Sequence, residues 1–176
     1  MGLFACVAGG IGSYAMASDA TPDFGPVNCE RSERTCVPNL RAATVIGRLK
    51  AQGHTCKASA DRWTCVLQIG VTEYTFSLWE VRGQVRAYSA RVSSAEIGPF
   101  DNTFAPPSKT AMAYMLWSAG LPYAHDREFA AQIRTWLSRQ VEGGGTTVAD
   151  VGGYTYKVDA SEPQIFNLDV EAVTPE

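Results

Sequence analysis

The 176-residue sequence lacks the features of a membrane protein or a nucleic-acid-binding protein. No stretch approaches the roughly 18 consecutive apolar residues of a membrane-spanning helix. The 15 basic residues are outnumbered by 18 acidic ones, which gives a net charge of -3, and no basic run is long enough to bind a phosphate backbone. We therefore expect no membrane span and no nucleic acid partner.

The sequence also contains little that resembles catalytic machinery. Its only histidines are His54 and His125, and no HExxH, GxSxG, P-loop or GxGxxG pattern is present. Cys56 lies close to His54 and could act as a nucleophile, but a disulfide is the stronger interpretation of that cysteine. We therefore expect no cofactor, no metal and no catalytic residue, unless an enzyme site converges only in three dimensions.

Charge is absent from residues 1–17, which end in Ala15-Met16-Ala17, the small-x-small pattern that signal peptidase cleaves. The basic n-region of a signal peptide is missing, because nothing basic precedes Arg31. We interpret residues 1–17 as a signal-peptide-like segment cleaved after Ala17, with its true start upstream. A lipid anchor at Cys6 is the second interpretation, and a buried N-terminal helix or strand is the third.

The chain has five cysteines, and removal of the first leaves an even set suited to an oxidising compartment. A helix predicted between Cys36 and Cys56 would hold them roughly 20 Å apart, whereas the Cα atoms of bridged cysteines lie within about 7 Å. The favoured disulfides are therefore Cys29–Cys36 and Cys56–Cys65. A zinc site fits this cysteine spacing poorly, because zinc ligands in a pair are usually separated by about two to four residues, and the paired cysteines here are further apart. A cytosolic chain would instead carry four reduced thiols.

Two blocks of helix followed by strands are visible in the hydrophobic pattern. The first helix is predicted to end at Gly53, and strands of period two follow at residues 63–69, at 74–78 and from residue 85. The segment TFAPPS then interrupts the pattern. Helices follow in DREFAAQIRTWLSRQV and, before it, in SKTAMAYMLWSAG, whose predicted buried stripe is Met112, Met115, Leu116 and Ala119. Strands return in TTVADV, YTYKVDA and IFNLDVEAV.

This order predicts an α+β fold in which an antiparallel sheet carries its helices on one face. It is compatible with a tandem duplication of a helix and three strands, with a period of about 80 residues. The predicted parts are a Cys-containing extension at 18–37, halves at 38–95 and 108–173, and a linker at 96–107. The arrangement is reminiscent of duplicated helix-and-meander binding proteins such as beta-lactamase inhibitor proteins, although no motif supports a family assignment.

A turn at Arg82-Gly83 leads to the candidate binding surface. With a two-residue loop, Trp79 pairs with Arg86 and Ser77 with Tyr88. The predicted buried face holds Tyr74, Phe76, Leu78, Val85 and Ala87, and the predicted exposed face holds Thr75, Ser77, Trp79, Arg86 and Tyr88. Aromatic residues and arginine are enriched in binding surfaces. The predicted site therefore consists of Trp79, Arg86, Tyr88 and Ser77.

Two other interpretations of Trp79 stay open at this point. A cation–π pair with Arg86 would only stabilise the hairpin, by about 0.5–1 kcal/mol. Alternatively, the other half of the protein covers Trp79. The assignment of faces depends on the register, because a slip of one residue moves every side chain of a strand to the opposite face.

These patterns together predict an exported, disulfide-stabilised binding protein of the bacterial periplasm or the extracellular space. It would recognise another protein as an inhibitor, an immunity-like factor or an envelope accessory subunit. The alternatives are a small secreted enzyme such as a hydrolase and a cytosolic chaperone-like module with free thiols. A binder should expose an aromatic sheet face without a deep polar pocket, whereas an enzyme should place His54 or His125 in a cleft beside a carboxylate.

Overall fold

The computed structural model describes residues 37, 40–94, 109–123, 127–151, 154–162 and 164–172. Helix α1 (Ala42–Ala51) precedes strands β1 (Thr55–Ser59), β2 (Arg62–Ile69), β3 (Thr72–Val81) and β4 (Gln84–Ser94). Helix α2 (Lys109–Ala119), a 3₁₀ turn (Leu121–Tyr123) and helix α3 (Arg127–Gly143) follow. The described part closes with β5 (Gly145–Val151), β6 (Tyr154–Glu162) and β7 (Ile165–Ala172).

These seven strands form one antiparallel sheet in the order β1-β2-β3-β4-β7-β6-β5. Because β4 and β7 are neighbours, the strands that follow α1 and those that follow α3 share a single sheet. Helix α1 packs on β1 and β2, α2 on β4 and β7, and α3 on β5 and β6. The buried side chains of helices and strands form one hydrophobic core. The predicted α+β fold, with helices on one face of an antiparallel sheet, is confirmed.

The first half of the sheet contains one strand that the sequence pattern does not predict. Strand β1 has five residues, four of them exposed, so it lacks the apolar alternation of a half-buried strand. It is held at the sheet edge by pairing with β2, where Cys56 lies opposite Cys65 with a Cα–Cα distance of 3.9 Å. The predicted Cys56–Cys65 disulfide is confirmed. The predicted Cys29–Cys36 disulfide and residue Cys6 lie outside the described residues.

Helix α1 ends at a glycine-dependent cap that also positions His54. Gly53 has a φ of +96°, a conformation that an L side chain rarely adopts. The Gly53 amide donates a hydrogen bond to the Lys50 carbonyl, and the His54 amide donates one to the Leu49 carbonyl. This pair of hydrogen bonds is a Schellman motif. The helix end predicted at Gly53 is therefore confirmed, and His54 is the first residue beyond it.

The β3–β4 hairpin turns at Arg82 and Gly83, as the sequence predicts. Both residues have positive φ, +52° and +80°, which is characteristic of the type I′ turn that suits the twist of a hairpin. Val81 pairs with Gln84 across this turn. The loop therefore has the predicted length of two residues.

A β-bulge follows the turn and shifts the register. Glu80 pairs with Val85, but Trp79 pairs with Ala87, so Arg86 is the additional residue of the bulge. The bulge coincides with a change of neighbour on the other side of β4. The tip of the hairpin is hydrogen-bonded by the backbones of Val37, Leu40 and Ala42, whereas β7 pairs with β4 from Ala87 onward.

The bulge makes the predicted faces of β4 wrong beyond Val85. Tyr88, which was expected on the exposed face opposite Ser77, lies opposite Leu78 and is only 1% exposed. Ala87, which was expected in the core, is half-buried on the other face of the sheet. One additional residue exchanges all later side chains between the faces, because the side-chain period of a strand is two.

Two tyrosine hydroxyls of the sheet bind carbonyl groups at the end of α2. Tyr88 on β4 donates a hydrogen bond of 2.6 Å to the Ser118 carbonyl, and Tyr156 on β6 donates one of 3.2 Å to the Ala119 carbonyl. The last carbonyl groups of a helix accept no hydrogen bond from within the helix, so they need other donors when they are buried. These hydrogen bonds therefore provide partners for the last carbonyl groups of α2 and hold the helix over β4 and β7.

Replacing Tyr88 with phenylalanine should lower the free energy of unfolding by about 1–2 kcal/mol, because the buried Ser118 carbonyl loses its partner. Tyr114→Phe is the matched control, since the buried Tyr114 hydroxyl has no hydrogen-bond partner among the described groups. Urea denaturation followed by circular dichroism measures both variants. Equal stability of Y88F and the wild type would contradict the proposed anchoring of α2.

Candidate functional site

The sheet face opposite the helices, termed the outer face, is open throughout the described part of the chain. Its residues alternate along each strand with core residues such as Phe76 and Leu78, and none of them is buried. Most of them are small or polar. One row crosses all seven strands through Ser59, Arg62, Trp79, Ala87, Glu171, Thr155 and Asp150.

Trp79 is the only aromatic residue among the described residues of the outer face, and it is half-buried. Arg62 of β2 and Ala87 of β4 lie directly opposite it on the neighbouring strands. A cation–π contact occurs elsewhere, between Lys50 and Trp63 with 5.9 Å to the ring centroid. None is observed at Trp79 within the described ranges.

Three of the four predicted site residues lie close together. Trp79 and Ser77 share the outer face, and Arg86 is exposed at the bulge next to the Trp79–Ala87 pair. Tyr88 does not join them, because the bulge turns it into the core. Whether the other three residues bind a partner stays a prediction.

The sequence pattern was not used to predict that Arg62 neighbours Trp79. It could have been, since the period-two pattern that buries Cys65 also places Arg62 on the opposite face of β2. The short turn at Gly70 then sets the register of β2 against β3 and aligns Arg62 with Trp79. The outer face therefore carries a basic residue on the side of Trp79 that faces the sheet edge.

The charges of the outer face are divided between its two sides. On β1–β4 the basic residues predominate: Lys57, Arg62 and Arg91 accompany one acidic residue, Glu73. On β5–β7 the acidic residues predominate: Asp150, Asp159, Glu162, Asp169 and Glu171 accompany one basic residue, Lys157. The outer face is thus basic on the side of Trp79 and acidic on the far side.

Hydroxyl groups orient two carboxylates on the acidic side. Asp159 accepts hydrogen bonds from the Ser161 hydroxyl at 2.6 Å, the Ser161 amide at 3.1 Å and the Thr146 hydroxyl at 3.2 Å. The bonds from Ser161 lower the pKa of Asp159 below its ordinary value. Asp150 accepts a hydrogen bond of 2.6 Å from the Thr155 hydroxyl. Hydrogen bonds from neighbouring hydroxyl groups therefore orient both carboxylates.

A cavity of about 300 Å³, termed the aromatic cavity, lies on the helix side of the sheet. Its walls are formed by His54 after α1, by Tyr74 of β3, and by Tyr114 and Trp117 of α2. No carboxylate lines it within the described structure. His54 therefore occupies a cleft, but without the acidic neighbour that the enzyme hypothesis requires. His125 lies outside the described residues.

Burial keeps His54 neutral and leaves one of its nitrogen atoms unused. Desolvation lowers the pKa of His54 from its ordinary value of 6.5, against a smaller opposite effect of the hydrogen bond to Leu49. His54 Nδ1 lies 3.1 Å from the Leu49 carbonyl, which assigns the proton of the neutral ring to Nδ1. Nε2 is then an acceptor, and it has no partner among the described groups.

A second cavity, of about 390 Å³, shares Trp117 with the aromatic cavity but has a different character. It is lined by Arg48, Arg127 and Arg134. The Arg134 Nε donates a hydrogen bond of 3.3 Å to the Leu116 carbonyl of α2. The second cavity is therefore basic, whereas no charged side chain lines the aromatic cavity in the described structure.

The described ranges hold no metal-binding cluster and no membrane helix. No three His, Cys, Asp or Glu residues come close enough together to bind a metal ion within those ranges. The helices in the same ranges are all too short or too polar to cross a bilayer.

Acidification should destabilise the wild type more than a variant without the His54 imidazole. The unfolded chain gains a proton at His54 below about pH 6.5, whereas the folded protein resists protonation until its lower pKa is reached. The free energy of unfolding should therefore fall as the pH drops through this window. Denaturant titrations of the wild type and His54→Phe at pH 8, 6 and 5 measure the difference, and parallel curves would contradict the burial effect.

Comparison of the chain with protein-family models, with curated proteins and with solved structures found no significant match in any of the three.

Proposed function

We propose that the protein is exported and acts by binding another protein through the outer face of its sheet. The observation that carries this proposal is the outer face itself, on which no described residue is buried across seven strands. A sheet that carries helices on one face leaves the other face in water unless a partner covers it. Here that face combines an indole, flanking basic residues and a separate acidic side.

The outer face has the dimensions of a protein interface. Six spacings of about 4.8 Å across seven strands give a width of about 29 Å, and about six paired residues per strand give a length of about 20 Å. The area is on the order of 600 Å², close to the roughly 800 Å² that each partner contributes to a standard interface. A small molecule would need a concave site instead.

Trp79 is the proposed anchor of this interface. Tryptophan and arginine contribute most of the binding energy in many interfaces, and Arg62 lies directly opposite Trp79. The other neighbours, Ser77, Ala87 and Ser89, are small. A partner could therefore approach the flank of the indole closely, which is how an aromatic anchor fills a pocket of its partner.

The divided charge of the outer face predicts the chemistry of the partner. A complementary surface presents acidic groups near Arg62 and Arg91, and basic groups near Asp159 and Asp169. Such a pattern also fixes the orientation of the partner, because a reversed partner would meet like charges on both sides. An inhibitor, an immunity-like factor and an envelope accessory subunit are all functions of this kind.

The location outside the cytoplasm is supported by the covalent framework. The Cys56–Cys65 disulfide is typical of an oxidising compartment, and residues 1–17 resemble a signal peptide. A cytosolic chaperone-like module would instead require reduced thiols. The enzyme alternative gains no support from His54, since the described lining of the aromatic cavity contains no carboxylate.

Substitution of the anchor should abolish capture of the partner. The tagged wild-type protein is cross-linked to secreted and envelope proteins of the native host, and the captured protein is identified and purified. Its affinity is then measured for the wild type, for Trp79→Ala with Arg86→Ala, and for Arg62→Glu. We expect each outer-face variant to bind at least about tenfold more weakly, as is usual for aromatic and arginine anchors.

Arg139→Glu is the matched control for that experiment, because Arg139 is exposed on α3, on the helix side of the sheet. It should bind like the wild type, and all variants should retain the circular dichroism spectrum of the folded protein. Unchanged affinity of the folded outer-face variants would show that the partner binds elsewhere.

Thiol alkylation of the protein from its native host tests the compartment. Without reduction, Cys56 and Cys65 should remain unmodified in the intact mass, and after reduction both should react. The mass should also correspond to a chain that starts at Ser18. Free thiols at Cys56 and Cys65 in the native protein would contradict export and favour an intracellular function.

A further inference from the structure

The second cavity lies between the three helices and gathers positive charge from two of them. Helix α1 contributes Arg48, α2 contributes Trp117, and α3 contributes Arg127 and Arg134. No acidic residue is among the described residues of its lining. A concave site lined by charge of one sign focuses the electric field and concentrates ions of the opposite charge. The second cavity therefore favours an anion.

Neighbouring carboxylates do not neutralise these arginines. The three helices carry six basic side chains but only two acidic ones, Glu128 and Glu142, and neither lines the second cavity. Within the described ranges no ion pair of Arg48, Arg127 or Arg134 is observed. Like charges that share one cavity repel each other. A bound anion would replace this repulsion by attraction.

The Arg134 side chain is held in place by the end of α2. Its Nε donates a hydrogen bond of 3.3 Å to the Leu116 carbonyl. Its guanidinium group lies against Gly120, where a Cβ atom would come within 3.1 Å of Arg134 Nη2. A guanidinium group has several N–H donors, so the bond to Leu116 leaves most of them for a ligand. A donor that is already positioned loses less entropy on binding than a freely moving one.

The other two arginines approach the cavity from different directions. Arg127 and Arg134 lie on the same side of α3, because seven residues are close to two helical turns and span roughly 10 Å along the helix. Arg48 reaches the cavity from α1. The planar guanidinium group binds carboxylate and phosphate oxygen atoms through pairs of parallel hydrogen bonds. An anionic group with several oxygen atoms can therefore contact both helices.

Size and apolar walls indicate that the anion has an organic body. The cavity volume is about 390 Å³, within the range of about 300–1,000 Å³ for small-molecule sites and far larger than an inorganic phosphate ion. Trp117, Leu121 and Ala130 supply apolar walls, and the last two are 2% and 4% exposed. A tryptophan ring packs well against another ring. An anionic group carried on an aromatic or other apolar body fits these walls.

We propose that the second cavity binds a small organic anion. Its phosphate or carboxylate group is held between Arg48 of α1 and Arg127 and Arg134 of α3, and its apolar body packs on Trp117. This site is separate from the outer face, because it lies on the helix side of the sheet. It does not depend on the proposed protein partner, and either proposal can fail without the other.

Four probes test the proposal. Phenyl phosphate, benzoate and benzyl alcohol share a phenyl ring but carry a phosphate, a carboxylate and an uncharged hydroxyl group, and inorganic phosphate is the anion without a ring. Each is titrated into the full-length protein at constant ionic strength, because salt screens exposed charges. NMR follows the Trp117 indole and the arginine Nε signals.

We expect one anionic aromatic probe to bind per chain, with saturation. It should bind at least about tenfold more tightly than benzyl alcohol, as hydrogen bonds to charged groups imply. Phenyl phosphate should bind more tightly than inorganic phosphate, because only phenyl phosphate reaches the apolar walls. The tighter of phenyl phosphate and benzoate identifies the anionic group that the site prefers.

Two variants remove one guanidinium group from each helix. Arg48→Gln and Arg134→Gln should each bind the tighter anionic probe about tenfold more weakly. Arg139→Gln is the matched control, since Arg139 is exposed on α3 but does not line the second cavity. It removes the same charge from the same helix and should leave the affinity unchanged. All three variants should keep the circular dichroism spectrum of the wild type.

Several results would overturn the proposal. Equal affinity for the anionic aromatic probes and benzyl alcohol would show that the cavity does not recognise charge. Equal affinity for phenyl phosphate and inorganic phosphate would show that the apolar walls bind nothing. A loss for R139Q as large as that for R134Q would show that anions follow the general charge of the helices. Titrations that do not saturate, or shifts that leave Trp117 unaffected, would show that no site exists there.

Discussion

The β-bulge at Arg86 is the constraint on which both faces of the sheet depend. Because Trp79 pairs with Ala87 rather than with Arg86, the side chains of β4 exchange faces at this point. Tyr88 enters the core and binds the Ser118 carbonyl, while the small Ala87 lies next to Trp79 on the outer face. One additional residue in β4 therefore turns Tyr88 toward α2 and places only a small side chain beside the indole of Trp79.

The anchoring of α2 extends the effect of the bulge to the aromatic cavity. Tyr88 and Tyr156 hold the last turn of α2 from below, and the same helix presents Tyr114 and Trp117 to the cavity. The facing wall comes from the end of α1, where the Schellman motif positions His54. The cavity thus lies between the end of α1 and the side of α2 that runs from Thr110 to Trp117. Hydrogen bonds fix the end of each helix. The described helices enclose a small cavity on one face of the sheet, and none of them covers the other face.

The buried tyrosines of this core differ in the partners of their hydroxyl groups. The hydroxyls of Tyr88 and Tyr156 satisfy helix carbonyls and so contribute to the fold. The hydroxyl of Tyr114 and Nε2 of His54 have no such partners within the described chain. A buried polar atom without a hydrogen-bond partner carries a cost in free energy. The surrounding disulfide-linked sheet and single hydrophobic core can tolerate that local cost.

Features that depend on neighbouring residues could be predicted from the sequence. They are the helix end at Gly53, the turn at Arg82-Gly83, the strand periods, and the Cys56–Cys65 disulfide between two close cysteines.

Strand β1 escaped prediction because an exposed edge strand needs no apolar alternation. Tyr114 fell outside the predicted stripe of α2, because the rotation of that helix is set by sheet tyrosines distant in the chain. By itself, the sequence determined most of the helices and strands and which residues share a face within most of them. Only the tertiary structure decided how those faces meet, because strand register and helix placement depend on contacts between distant segments.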